Sequence, residues 1–520
     1  MNHDTKCQPF LWDSLFSWLK AAATKHRIPM ITSMVVGFLA YAFAFTNKLI
    51  NHDEAFSLFI KGGTAVLGRW FLGLSDSIFP NVSMPWIYGV ITIFFVAVSI
   101  CLIIDMLDIR SKVLQALLSG CIMAFPTLLS ILSYMFTASS YGLAFFLAVL
   151  AVWLVNRWNK WTFLAAIGCM VISLATYQAF IAIAASVLLV LLIQKLLKNE
   201  ELPSVIAKGV VSLGFLVLSL GLYYLSVMVV NRVLGIGFSE YANSKIEFSL
   251  LDLPAKALLA YSGFWASLTG HQFGLIPTDF SQILHFGCLA VCACLLLIWV
   301  LNQKIKEWGR YLLLLILILL LPLAINCMYL FTSLDSIHTL VLYSFVSVYI
   351  LAAVLADLQL TQENRGKAKA CLSTLCVHLL PLLLALVIMV NVYVSNIAFL
   401  NLHLCYEIAY SFYTSLIADI QMMPEFQEGS KLAVVGYYNG PEYYYTSFEA
   451  INNIMGVRGF QPSEYSKDRF LQYYLNFNVP LASEEEIAQI QQTAEFQEMP
   501  LYPYYGSMKW FGNTLVVRLE

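Results

Sequence analysis

The chain has 520 residues, of which 60% are hydrophobic and 12% are charged, and its mean hydropathy is +0.75. This composition excludes an ordinary soluble domain and indicates a polytopic membrane protein, so the lipid bilayer is its first expected partner. The net charge of -2 offers no basic face for nucleic acid, and we expect no nucleic-acid partner. The eleven cysteines lack ligand partners at metal spacing, so we expect no disulfide framework, no metal site and no cofactor.

Residues 1–30 precede the first long apolar run and mix aromatic with basic residues, which is typical of a helix lying in the headgroup plane. The segment is too interrupted for a cleavable signal peptide, so we expect it to be retained and cytoplasmic. The first span is predicted from Ile31 to Ile50. Its twenty residues, at about 1.5 Å each, cross roughly 30 Å of hydrocarbon.

Two acidic residues follow this span directly, within Asn51-His52-Asp53-Glu54, and should emerge at the far interface. In the simpler interpretation, the first loop meets water there, where any charge is well solvated. In the other, a carboxylate at the membrane edge removes the proton from a hydroxyl brought up to a lipid-anchored substrate. The motif alone leaves both interpretations open.

Ten further apolar runs follow, which predicts about eleven spans in all. The Lys and Arg residues support an odd number, because 17 of the 29 lie on the N-terminal side of the membrane and six in the opposite loops before the tail. The positive-inside rule then places the N-terminus in the cytoplasm and the tail outside, in a multi-pass protein of the cell membrane. The runs are Trp86–Leu107, Val113–Ser133, Tyr141–Val155, Trp161–Thr176, Ala179–Ile193, Ile206–Val230, Ile283–Leu301, Tyr311–Leu330, Thr339–Leu355 and Leu375–Ile397.

Two outer loops, 51–85 and 231–282, are longer than a connection requires, and loops of this length are usually functional. In the first loop, Arg69 presents a permanently charged fork of donors, so we expect it to bind the phosphate of a lipid carrier. Arg232, Lys245 and Lys61 are the other candidates for phosphate binding.

The tail changes character after residue 400, where polar helical stretches and short apolar strands replace the long runs. Strands are predicted at Lys431–Gly436 and Trp510–Leu519, with helices over Ser463–Phe477 and Ser483–Gln492 between them. The predicted fold is therefore mainly α: a polytopic bundle over residues 31–400 with a small extracytoplasmic α/β domain over 401–520.

Several of these features together resemble the bacterial serotype-converting, O-antigen-type glucosyltransferases, which are polytopic enzymes of the GT-C class. They are a first span ending in Asp-Glu, the motif Gly68-Arg69-Trp70 shortly after it, Tyr177-Gln178 at an outer turn, and the small α/β tail. The resemblance implies transfer of a sugar from a polyprenyl-phosphate carrier to a surface polysaccharide or lipid-linked glycan on the outer side of the membrane.

By that resemblance Asp53 is the expected base, with Glu54 aiding acceptor binding or substituting for it, and Arg69 holds the phosphate. Some relatives carry two aspartates where this chain has Asp-Glu, which leaves open which carboxylate acts. The candidates for binding the sugar or the acceptor are His52, Trp70, Tyr177, Gln178 and His271.

Two other functions compete with this one. A transporter or flippase of lipid-linked glycans would bury ionisable groups near the bilayer midplane, whereas the span interiors here carry almost no charge. A non-catalytic scaffold for envelope polysaccharide assembly is distinguished only by its tolerance of Asp53→Asn.

Overall fold

The computed structural model describes residues 17, 20–59, 64–77, 82–237, 251–270, 273–302, 308–360, 367–427, 429–438, 440, 449–458, 462–463 and 465–519, with backbone only for 367–371. The interfacial helix expected near the N-terminus lies almost wholly outside the described residues. The described part is mainly helical, as the composition predicts. Its first fifteen helices are α1 (Arg27–Thr46), α2 (His52–Phe56), α3 (Trp70–Asp76), α4 (Pro85–Met106), α5 (Lys112–Met123), α6 (Pro126–Ser133), α7 (Met135–Val155), α8 (Lys160–Thr176), α9 (Ile181–Leu197), α10 (Leu202–Leu234), α11 (Leu253–Thr269), α12 (Asp279–Asn302), α13 (Trp308–Ile325), α14 (Ser347–Leu360) and α15 (Lys367–Met422).

The spans follow the apolar runs of the sequence. Within the described residues, nine helices are long and apolar enough to cross a membrane, and α5 with α6 makes a tenth if the bent pair counts as one span. The remaining predicted run is the shorter apolar helix α8. The bend of 40° between α5 and α6 lies at Pro126, the first residue of α6, which lacks the N–H needed to continue the ladder of α5.

Charged groups distinguish the two ends of the bundle. Lys25, just before α1, pairs with Asp105 in the last turn of α4, whereas Glu54, just after α1, is bonded to Ser83 at the start of α4. Because α4 has 22 residues, these two clusters lie roughly 33 Å apart. We call the end with Lys25 the basic end, since it also carries the ion-paired residues Arg110, Lys195, Lys198 and Lys208.

The last membrane helix continues into the C-terminal domain. Helix α15 passes residue 400 without a break and packs beneath a three-stranded sheet of order β1-β3-β2. Strand β1 (Lys431–Val435) is parallel to β3 (Thr514–Arg518), which pairs antiparallel with β2 (Met508–Phe511). Three short helices complete the domain: α16 (Lys467–Tyr474), α17 (Glu484–Gln491) and α18 (Ala494–Gln497).

One prediction for this domain is wrong. The final strand expected over Trp510–Leu519 is a hairpin, β2 and β3, which turns at Gly512. Its φ of +62° suits glycine and matches the twist of a two-residue hairpin turn. The first strand and the two polar helices are observed close to their expected positions.

A segment of the C-terminal domain, residues 449–458, is packed inside the membrane domain; we call it the inserted segment. Its Ile451, Ile454 and Val457 belong to the hydrophobic core of the helix bundle. Its backbone is tied there as well, because Ser130 Oγ donates to the Met455 carbonyl at 2.6 Å. The two domains therefore share one core at the end of the bundle opposite the basic end.

Candidate active site

The first loop begins with a short capped helix that fixes both acidic residues. Asn51 is fully buried; its side-chain oxygen accepts from the Glu54 N–H at 2.9 Å, and its Nδ2 donates to the Ser133 carbonyl at 2.8 Å. The first bond caps α2 and the second ties it to the end of α6. Acidic residues in the first turn also suit the helix dipole. Asp53 and Glu54 thus point from a fixed backbone in different directions.

Glu54 is fully buried and held by protein groups on both oxygens. Lys48 Nζ and Ser83 Oγ donate to its Oε1, and the Phe136 N–H donates to Oε2 at 3.1 Å. A buried carboxylate is stable only with such partners. Glu54 therefore joins α2 to the starts of α4 and α7, and its oxygens are not presented to an incoming substrate.

Asp53 has the opposite environment. Its side chain is 42% exposed, and its Oδ1 accepts a hydrogen bond from the hydroxyl of Tyr465 in the C-terminal domain. His52 Nε2 lies 3.7 Å from the same oxygen. The Tyr465 ring packs edge-on against both His52 and Phe56, with about 6.1 Å between centroids in each pair. The accessible Asp53 carboxylate therefore already accepts a hydrogen bond from a hydroxyl group.

Arg69 is positioned by the fold on the same side of the bundle. Its Nε donates to Gln178 Oε1 at 3.2 Å and its Nη1 to the Tyr141 hydroxyl at 3.3 Å, and its guanidinium lies 4.9 Å from the centre of the Tyr177 ring. Gly68, with φ +73°, turns the chain so that Arg69 points into this group. The predicted pair Tyr177-Gln178 therefore contacts Arg69 directly.

Tyr141 connects the two halves of this surface. Its hydroxyl lies within electrostatic range of Arg69, Asp76 and Asp53, and its ring stacks on Tyr177 with 4.4 Å between centroids. Asp76 accepts a bond from Ser140, one residue before Tyr141. Asp53 and Arg69 are thus both within electrostatic range of one tyrosine, which places them on the same side of the bundle.

A family model described as Glucosyl transferase GtrII matches residues 42–351, more than half of the chain and all of this surface except Tyr465. The chain belongs to the GtrII glucosyl transferase family. It is therefore a multi-pass membrane glucosyltransferase, which implies a sugar donor and a glycan acceptor. No curated protein and no solved structure matches the chain.

The structure places some of the other predicted site residues near Arg69 and others away from it. Trp70 lies beside Arg69, and its indole N–H donates to Ser226 Oγ of α10 at 3.0 Å. Arg232 is exposed in the last turn of α10 and, within the part of the chain that the structure describes, contacts none of the site residues named above. Lys61, Lys245 and His271 lie outside the described residues, so their assignment stays a prediction. Within the described residues, no group of three His, Cys, Asp or Glu side chains is arranged to hold a metal ion.

Sequence reasoning missed three tyrosines of the candidate site. Tyr134 lies between two predicted spans, Tyr141 begins the second of them, and Tyr465 is more than 400 residues from Asp53. The one available signal was polarity, since Tyr134, Thr137, Ser139, Ser140 and Tyr141 place five hydroxyls in eight residues at the start of a span. Such a cluster at the end of a membrane helix indicates a polar cavity wall rather than a lipid-facing surface.

Proposed function

We propose that this glucosyltransferase transfers its sugar from a polyprenyl-phosphate carrier to a surface glycan on the outer side of the membrane, with Asp53 as the general base. The acceptor hydroxyl gives its proton to the Asp53 carboxylate while its oxygen bonds to the anomeric carbon. The bond from that carbon to the phosphate oxygen breaks, and polyprenyl phosphate leaves with the electron pair. Arg69 balances the charge that develops on the phosphate.

One observation carries the assignment of the base. Of the two adjacent acids, only Asp53 is exposed, and its carboxylate already accepts a hydrogen bond from a hydroxyl, that of Tyr465. An acceptor sugar hydroxyl would need the same contact. Glu54 is saturated by Lys48, Ser83 and the Phe136 N–H, and so serves as a positioning residue.

Two further observations support a polyprenyl-phosphate donor and transfer on the outer side of the membrane. Arg69 is oriented by Gln178 and Tyr141 and lies over an aromatic ring, an arrangement suited to a planar fork that binds phosphate. The proposed site is at the end of the bundle opposite the basic end, and the positive-inside rule would place the basic end in the cytoplasm. The proposal therefore has the donor's phosphate and the acceptor meeting outside.

The test compares Asp53→Asn with the native protein in proteoliposomes supplied with a radiolabelled short-chain polyprenyl-phosphate glucose and surface glycan from the host cell. We expect transfer to fall by about 100- to 10,000-fold, the usual contribution of a general base. The matched control is Asp419→Asn, because Asp419 also accepts a tyrosine hydroxyl, that of Tyr502 at 2.8 Å, but in the C-terminal domain away from the site. Full transfer by Asp53→Asn would reject Asp53 as the base and would mean that another group of the glucosyltransferase takes the proton.

A further inference from the structure

One tyrosine hydroxyl inside the candidate site lacks a hydrogen-bond partner among the residues that the structure describes. Tyr134 joins α6 to α7 and is only 5% exposed, and its hydroxyl makes no hydrogen bond within the described part of the chain. Buried tyrosine hydroxyls usually find an acceptor, because an unpaired polar group lowers stability. This hydroxyl therefore requires an explanation.

The hydroxyl lies between the two functional halves of the surface. It interacts electrostatically with Asp53 first, and then with Tyr465, Tyr141 and Tyr177. Tyr141 and Tyr177 are the residues that contact Arg69. The Tyr134 ring also stands edge-on to His52, with 6.3 Å between centroids. A molecule bound between Asp53 and Arg69 would therefore pass the Tyr134 hydroxyl.

The ring is held in place from the other side. Gly456 of the inserted segment packs so closely that a Cβ there would lie 2.6 Å from Tyr134 Cε2 and 2.1 Å from Ser133 Oγ. Its φ of +86° also excludes other residues without strain. The inserted segment therefore packs directly against the Tyr134 ring and restricts its movement away from Asp53 and His52.

The proton of this hydroxyl is retained across the physiological pH range. Burial, with a further contribution from the Asp53 carboxylate, raises the pKa of Tyr134 well above its ordinary value. Tyr134 is therefore a hydrogen-bond donor and not a base. A hydrogen-bond donor near Tyr141 and Tyr177, the two tyrosines that contact Arg69, fits a ligand that carries negatively charged oxygens.

We propose that Tyr134 binds the donor substrate, its hydroxyl donating a hydrogen bond to an oxygen of the sugar-phosphate group that Arg69 holds by charge. This assignment rests on the proposed function, because it names a second side chain that binds the same phosphate. The bond strengthens as the phosphate gains charge on leaving, so Tyr134 contributes both to donor binding and to turnover.

The test uses Tyr134→Phe, which keeps the ring against Gly456 and removes only the hydroxyl. The matched control is Tyr474→Phe in α16, because the Tyr474 hydroxyl is also buried without a recorded partner and its ring stacks on Phe470. Removing an unpaired buried hydroxyl should leave both variants at least as stable as the native protein in thermal unfolding.

Only Tyr134→Phe should weaken binding of a soluble probe, farnesyl phosphate, by about 10- to 100-fold, with farnesol binding unchanged. Its kcat/KM should fall by at least the same factor, whereas Tyr474→Phe should match the native protein in both measurements. A merely structural tyrosine would change neither the phosphate preference nor kcat/KM in a stable variant.

Two outcomes overturn the proposal, and they separate it from the proposed function. If the native protein prefers farnesyl phosphate to farnesol and Tyr134→Phe does so equally, the role of Tyr134 is rejected while the carrier and base assignments stand. If the native protein does not distinguish the two probes, the role of Tyr134 is rejected because the phosphate adds nothing to binding. The phosphate carrier is rejected as well if the native protein also transfers no glucose from the polyprenyl-phosphate donor.

Discussion

Asp53 and Glu54 are neighbours in the sequence, but their carboxylates meet different surroundings. Asp53 is exposed and contacts Tyr465, whereas Glu54 is enclosed by Lys48, Ser83 and the Phe136 N–H. In the proposed mechanism one acid therefore meets the substrate, while the other fixes the helix that carries it. The sequence alone left this choice open, because side-chain direction within a five-residue helix depends on contacts with distant parts of the chain.

Glu54→Gln should therefore destabilise the protein by about 2 to 4 kcal/mol, because it removes the charge that Lys48 and two further donors bind in a buried site. Asp53→Asn should change stability by less than about 0.5 kcal/mol, since its side chain is exposed. Thermal unfolding of the purified variants in detergent measures both. If Glu54→Gln were as stable as the native protein and yet inactive in transfer, Glu54 would be the base and our assignment would be reversed.

At the scale of elements, the apolar runs were sufficient to predict the helices, because one span needs about twenty apolar residues whatever surrounds it. A count of apolar residues does not register the bend at Pro126 or the hairpin at Gly512, because both depend on single turn-forming residues. The motif Gly68-Arg69-Trp70 singled out Arg69, which contacts Tyr177 and Gln178 in the structure, and its role in phosphate binding stays a prediction. It could not predict Tyr134 or Tyr465, since their role depends on the packing of the inserted segment and the C-terminal domain.

Gly68 offers a test of the first loop as an element. Gly68→Ala places a Cβ at φ +73°, which costs roughly 1 to 2 kcal/mol or shifts the backbone that carries Arg69. Because a displacement of about 1 Å can lower a rate 100-fold, we expect a large loss of kcat/KM from a small loss of stability.

The control is Gly512→Ala, which imposes similar strain at φ +62° in the hairpin turn between β2 and β3, where no neighbouring atom lies within 4 Å of the added Cβ. It should lose comparable stability and keep full transfer activity. Equal activity of the two variants would mean that the first loop tolerates displacement and that Arg69 does not bind the donor in the position described.

At the scale of the whole molecule, the family match covers only part of the candidate site. The match ends at residue 351, yet Tyr465 contacts Asp53 and the inserted segment packs behind Tyr134. The membrane domain supplies Asp53 and Arg69, while the C-terminal domain supplies Tyr465, which contacts Asp53. We infer that the C-terminal domain belongs to the active site and is not an appended module, because its residues complete the core at that end of the bundle.

This arrangement makes one prediction about orientation, because the C-terminal domain and the base must face the same compartment. The basic end should be cytoplasmic by the positive-inside rule. A cysteine replacing Tyr505, which is fully exposed in the C-terminal domain, should react with a membrane-impermeant maleimide in right-side-out vesicles. A cysteine replacing Glu201, exposed before α10 at the basic end, should react only after permeabilisation, with the native protein as the background for both. The reverse pattern would place Asp53 in the cytosol; the family assignment would stand, but the donor and acceptor would have to meet inside the cell.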